Sequence, residues 1–356
     1  MFNNDPIWLL LNRFLKLNSR LRSLLFAIGI GGLTFFLVPF FSGYLFPRND
    51  GLSSVNDWPG LIITFFTHPA IYLYYCFEQE RIFAKLINRL VNTQELADHQ
   101  MFEEKLRKTL NLKRWIVLAF LLTAIGYFLH VQAVLAHPIL SYYYPNKSIL
   151  FFINAPLSSL AGYMVCLVAI RYLIVVVSLF NFFNKHRPRI NVFHPDGCGG
   201  LSFVGRFVLG SFVLVAIMAI DLSLLIVINL QQINRDPFTE PSFLSLLGFY
   251  LILLPFSIVI PLLSPRNNIQ NIKQNWQSLI ETELDKQASA LSEAEASLLD
   301  SNKLDNILRL RKLYKLSNLS VIPIDKTTFL QFILLILSSL LPILYLVISK
   351  IMCGGA

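Results

Sequence analysis

Long apolar runs separated by charged segments set the layout of this chain. The runs at 23–46, 61–77, 115–136, 157–183, 206–230, 243–264 and 328–349 approach the roughly 20 residues a helix needs to cross the hydrocarbon core of a bilayer. They predict an all-α polytopic membrane protein with seven transmembrane helices. The run at 61–77 is the shortest and is expected to continue into water as helix. Two polar segments between the runs keep a helical period. In 78–114, Ile82, Leu86 and Leu90 share one face; beyond Asn92-Thr93-Gln94, Phe102, Leu106 and Leu110 share another. In 265–327, Ile269, Ile272, Trp276, Leu279, Leu284 and Leu291 form an interrupted stripe, and Leu304, Ile307, Arg311 and Tyr314 form a second. These segments read as helical hairpins. Their stripes need a partner, either other segments on the same side or a second subunit in a homo-oligomer.

Residues 1–22 make a separate unit. Asp5-Pro6 is a helix cap followed by proline at the first helical position. Ile7, Leu10, Phe14, Leu17 and Leu21 then recur at spacings of three and four, with Arg13, Lys16, Arg20 and Arg22 off that stripe or at its edge. This is a basic amphipathic helix, suited to the membrane interface or to packing on the protein itself.

Composition supports the membrane reading. Of 356 residues, 55% are hydrophobic and 14% charged, against about a quarter charged in an ordinary soluble domain. The net charge of +9 would suit nucleic acid, but the Lys and Arg residues flank the apolar runs and form no patch, so a nucleic-acid partner is excluded. Their counts in the segments from N- to C-terminus run 4, 1, 8, 1, 3, 1, 9, 1, with Arg171 and Arg206 inside spans. By the positive-inside rule the N-terminus and both long hairpins are cytoplasmic and the C-terminus is outside, in the plasma (inner) membrane. The four cysteines are scattered, with no zinc spacing and no disulfide framework. No cofactor is expected.

Two sets of residues carry candidate chemistry. Ionisable groups inside spans are rare and functional by default, and the third, fourth and fifth runs contain His130, Arg171 and Asp221. Counted from the cytoplasmic ends at about 1.5 Å per residue, all three lie near the same depth, roughly 20 Å in. An Arg171–Asp221 ion pair between adjacent helices is the structural expectation. A hydrated layer in which Asp221 or His130 meets an ion or proton is the functional one.

The second set is FHPDGCGGLSFVGR, Phe193 to Arg206. Asp196-Gly197 is a turn pair, and Gly199-Gly200 permits unusual backbone angles before a helix starts near Leu201. Helix N–H groups beside His194, Asp196, Gly197, Gly199, Gly200 and Arg206 form a candidate site for an anion or an anionic lipid headgroup. The alternating His194, Asp196 and Cys198 offer three metal ligands without a fourth, which is a weak metal signal.

The run HPDGCGGLSF, followed later by IPIDKTTFLQF and an apolar last helix with Pro342, resembles an uncharacterised prokaryotic family of multi-pass membrane proteins that carry an HPDxxGGL-type segment. The resemblance covers about the second half of the chain and implies membrane insertion without a particular chemistry. The plan of seven spans, long inside helices and a short outside C-terminus is also similar to that of the insect chemoreceptor ion channels. That likeness implies a tetramer held by cytoplasmic helices, with the last helix lining the pore. A channel or transporter-like protein is therefore the leading expectation. A membrane sensor or scaffold coupled to a cytoplasmic partner is the alternative. No Ser-His-Asp order, HExxH motif or pair of carboxylates at depth favours an enzyme.

Overall fold

The computed structural model describes residues 4–14, 21, 24–25, 28–29, 31–41, 43, 45–46, 58–90, 96–136, 149–185, 191, 194, 196–233, 237–293, 306, 308–309, 322–324, 327–337, 344 and 348. All regular structure among them is helical. In chain order, α1 spans Pro6–Phe14 and α2 joins a π-helical Gly32–Leu37 to Val38–Phe41. The helix α3 spans Trp58–Leu90. After it come α4 (Leu96–Leu110), α5 (Lys113–Ala136) and α6 (Ile149–Lys185). Helix α7 (Ser202–Val227) runs on into a π segment, Ile228–Ile233. Next are α8 (Pro241–Leu263), α9 (Arg266–Glu293) and α10 (Thr327–Leu337).

Four helical stretches are long and apolar enough to cross a membrane: Trp58–Leu90, Ser159–Lys185, Ser202–Leu230 and Phe243–Lys286. A fifth results if the pair Gln100–Leu110 and Lys113–Leu129, bent by 44°, is one span. The predicted first and last spans are described only in part, through α2 and α10. The predicted short second span is one 33-residue helix that runs without a break into the polar segment. At 1.5 Å per residue, α3 and the 37-residue α6 are each roughly 50 Å long. Both exceed the roughly 30 Å hydrocarbon core by several turns.

Two apolar clusters divide the interior. One gathers Ile71 to Cys76 of α3, Tyr163 to Ile170 of α6, Phe212 to Ile226 of α7, and Phe243, Tyr250 and Leu253 of α8. The other gathers Phe83, Leu86, Ile87 and Leu90 of α3, Phe102, Leu106 and Leu110 of α4, Tyr172 to Phe183 of α6, and Leu201 to Val208 around the start of α7. Ile269 of α9 and Phe332 of α10 complete it. The second cluster lies at the end of the bundle that carries the Lys- and Arg-rich segments. The first is sheathed by exposed apolar side chains such as Phe120, Leu121, Ile125 and Phe128 on α5 and Leu251, Ile252 and Phe256 on α8. Uninterrupted apolar exposure of this kind is what a helix presents to lipid.

Helix α3 departs from regular α geometry twice, at the π segments Ile63–Thr67 and Tyr74–Glu78. The first has a visible cause. Pro69 has no N–H and its ring crowds the carbonyl one turn back. The chain opens into a wider turn in which the His68 N–H reaches Ile63 O, and the Thr67 hydroxyl donates to the same oxygen at 2.8 Å.

Candidate functional site

The boundary between the two clusters is polar. On α3, Gln79 lies between Cys76 of one cluster and Phe83 of the other; on α6, Arg171 lies between Ile170 and Tyr172. Ser211 on α7 and Ser257 on α8 hold the corresponding places, and all four are buried. Arg171 is 2% exposed, so its charge requires a close counterion.

That counterion is Asp5. Arg171 Nη2 donates to Asp5 Oδ2 at 2.6 Å, and the Tyr75 hydroxyl donates to the same oxygen. Asp5 Oδ1 accepts the N–H groups of Ile7 and Trp8 at 3.1 and 3.2 Å. One carboxylate thus caps α1, as the Asp5-Pro6 pattern predicts, and also neutralises an arginine 166 residues away. Gln79 completes the arrangement. Its carbonyl oxygen faces Arg171 Nη1 at 3.5 Å while its amide donates to Val168 O at 3.1 Å. The guanidinium carbon lies 5.7 Å from the Tyr75 ring centre, close enough for a cation–π contribution.

This corrects the expected Arg171–Asp221 pair. The run and α6 end within two residues of each other at the basic side, so depth along the helix was not at fault; the N-terminal segment enters the bundle and supplies a carboxylate that a helix-by-helix reading does not place there. Arg171 stands at the seam of the bundle, and the N-terminal segment reaches it. The arrangement also divides the reading of 1–22. The head of α1 is held inside the protein, with Asp5 buried and Ile7 and Trp8 packed on the clusters, while Leu9 and Leu10 are exposed. Asn4 adds a hydrogen bond from its side chain to Asn111 O at 2.8 Å, at the α4–α5 bend.

Asp221 has different surroundings. It lies in the α7 portion of the first cluster, between Ala219 and Leu222, with the Thr67 side chain beside its carboxyl group. Oδ1 is enclosed and no donor among the described residues reaches it. The Thr67 hydroxyl proton is already directed at Ile63 O. His130 is on α5, and its side chain lies outside the described residues.

The HPDGCGGL turn folds around Asp196. Its Oδ1 accepts the N–H groups of Cys198 and Gly200 at 2.9 and 3.1 Å, and its Oδ2 accepts that of Ser202 at 3.2 Å. His194 Nδ1 is 2.8 Å from Oδ1 and also lies 3.3 Å from the Asp196 backbone nitrogen, so the imidazole packs against the same turn. Gly197, Gly199 and Gly200 take positive φ of 65°, 67° and 89°, the conformations that turn these N–H groups inward. Partial burial opposes ionisation of Asp196, but the backbone donors of Cys198 and Gly200, with Ser202 and His194, hold its carboxyl below the ordinary value.

This geometry argues against the predicted anion site. The N–H groups that an external phosphate would use are occupied by the protein's own carboxylate, which also repels a second anion. Arg206 is exposed on α7. His194, Asp196 and Cys198 do not converge on a metal either, because Asp196 caps the helix and Cys198 Sγ lies 3.9 Å from Ile322 O. That contact joins the two halves of the resemblance. A Cβ on Gly205 would come within 2.5 Å of Pro323 O, so the 322–324 backbone packs directly on a glycine of α7. The distant HPDGCGGL and IPI segments form one packed unit.

No protein-family model, curated protein or solved structure matches the chain. Function has to be read from these sites.

Proposed function

We propose that this chain is an integral multi-pass membrane protein of the channel or transporter kind. In this reading it has seven spans, a cytoplasmic N-terminus and an outside C-terminus in the plasma membrane. The single observation that carries the reading is Asp221. A buried carboxyl oxygen without a donor is destabilising by about 1–3 kcal/mol, and packing alone gives no reason to keep it. Within a span, such groups are retained where an ion, a proton or a polar solute passes. The neighbouring π turn at Ile63–Thr67 supports this reading, since π turns cluster at functional positions. Arg171 has the opposite role. Its charge is matched inside the protein, so it holds the bundle together and does not line a path.

The test is ion and proton flux into proteoliposomes containing the native protein, Asp221→Asn, or no protein. Flux that needs the protein and falls at least tenfold in Asp221→Asn supports the proposal. A folded native protein that passes no ion or proton across a range of potentials removes it. A second reading, a membrane sensor or scaffold that couples to a partner or a further copy of the chain, draws on α9. That helix is 28 residues long and leaves Trp276 and Leu279 40% and 64% exposed. Mass measurement of the detergent-solubilised complex, native and with Trp276→Ser and Leu279→Ser, checks it. A single-chain mass in both would remove the oligomeric form of that reading.

A further inference from the structure

The end of α8 is a chemical boundary. Val259 and Leu263 are each 46% exposed, and Ile322, which shares a groove with Leu263, is 51% exposed. Past Ser264-Pro265 the surface changes character. Arg266, Gln270, Lys273, Gln274 and Gln277 recur at helical spacing, so they share one face of α9. With Leu263 and Ile322 they line a groove of about 510 Å³. That size is typical of small-ligand sites, which span about 300–1,000 Å³. Two cations and three amides face the groove, and among the described residues that line it there is no carboxylate. The acids of α9 (Glu281, Glu283, Asp285) lie further along the helix, past Gln277.

We propose that this groove binds an anionic phosphate group at the membrane surface, namely a phospholipid headgroup whose acyl chains lie along Leu263 and the exposed face of α8. The chemistry matches group by group. A guanidinium offers parallel N–H donors to two phosphate oxygens, and a lysine adds a compact charge. The glutamine amides donate to the remaining phosphate, ester and glycerol oxygens. The apolar end of the groove sits where a span leaves the hydrocarbon, which is the level of lipid phosphates. The turn at Asp196 supplies its own anion and has no room for this one; the groove does. The inference rests on membrane insertion but not on conduction, so it survives a negative flux result.

The experiment titrates the full chain in neutral detergent with phosphatidylglycerol, phosphatidylcholine or glycerol 3-phosphate and counts bound molecules by native mass spectrometry. Saturable phosphatidylglycerol binding is expected, at least tenfold tighter than phosphatidylcholine. It should weaken roughly tenfold or more in Arg266→Gln/Lys273→Gln, while Lys286→Gln, beyond the groove, binds as the native chain does. Circular dichroism of the double variant checks that its helices are intact; Arg266 is exposed and Lys273 half-buried. Equal binding of the two lipids, or unchanged phosphatidylglycerol binding in the double variant, overturns the proposal. Competition by glycerol 3-phosphate at equal concentration would assign the groove to a soluble phosphate and overturn the lipid source.

Discussion

Arg171 and Asp221 are both ionisable residues within long apolar helices, and the protein treats them in opposite ways. Arg171 has a carboxylate at 2.6 Å, an amide carbonyl and an aromatic face. Asp221 has Thr67 beside it and an enclosed Oδ1 that no described donor reaches. The same asymmetry marks the two halves of the bundle. In the half with the basic segments the buried charged groups are matched from within: Asp5 serves Arg171, Asp196 serves three backbone N–H groups, and the 322–324 backbone closes over Gly205. In the other half one carboxyl group is left waiting. A satisfied buried charge argues for architecture. An unsatisfied one argues for something that comes and goes.

The sharpest way to break this contrast is to remove the counterion. Asp5→Asn leaves Arg171 buried without its anion, and a loss of about 3–5 kcal/mol is expected in unfolding of the solubilised protein. Arg171→Met added to Asp5→Asn should recover much of that loss, because the pair is then replaced by an apolar group. A double variant no more stable than Asp5→Asn alone would show that Arg171 contributes through something other than charge.

Next in size is Gly205→Ala. Its Cβ would fall 2.5 Å from Pro323 O, and backbone atoms yield less readily than side-chain ends. A loss of about 1–3 kcal/mol is expected. Cys198, now 1% exposed, should also react faster with a thiol reagent as the 322–324 segment lifts. Unchanged labelling would separate the two motifs again.

Asp196→Ala removes a cap shared by three N–H groups and should be destabilising by about 1–2 kcal/mol, read from chemical unfolding. Its pH dependence has a definite sign. The folded carboxyl ionises below its ordinary 3.8, so its contribution is complete above that value and is lost as pH falls through the lower folded value. The native protein should therefore lose stability in that acid range by more than Asp196→Ala does.

The smallest effect on stability belongs to Asp221. Asp221→Asn should change it by less than about 1 kcal/mol, because a neutral amide of the same shape takes the place of an ionisable carboxyl while one enclosed oxygen stays without a donor. Flux is where this variant should show its loss. A destabilisation as large as that of Asp5→Asn would instead make Asp221 a second structural anchor and end the contrast.

Local features were legible in the sequence wherever one short stretch carries the whole cause. Asp5-Pro6 announces a cap and a helix start. The glycines after Asp196 announce a turn with positive φ. Leu86 with Leu90 and Leu106 with Leu110 announce buried faces, because helical spacing alone puts them together. Pro69 carries the physical reason for the π turn before it.

What the sequence determined by itself was the abundance of apolar helix, the places where charge interrupts it, and the cap and turn chemistry. Each follows from backbone geometry and the period of a helix. Which polar groups meet was decided by the tertiary structure alone. Asp5 finds Arg171 because the N-terminal segment folds back into the seam between the two clusters, where the arginine stands. Asp196 fills its own helix start because a turn brings the carboxylate back over N–H groups that a linear reading leaves open. Pairings over such separations depend on the relative lengths and tilts of packed helices, which no local period encodes.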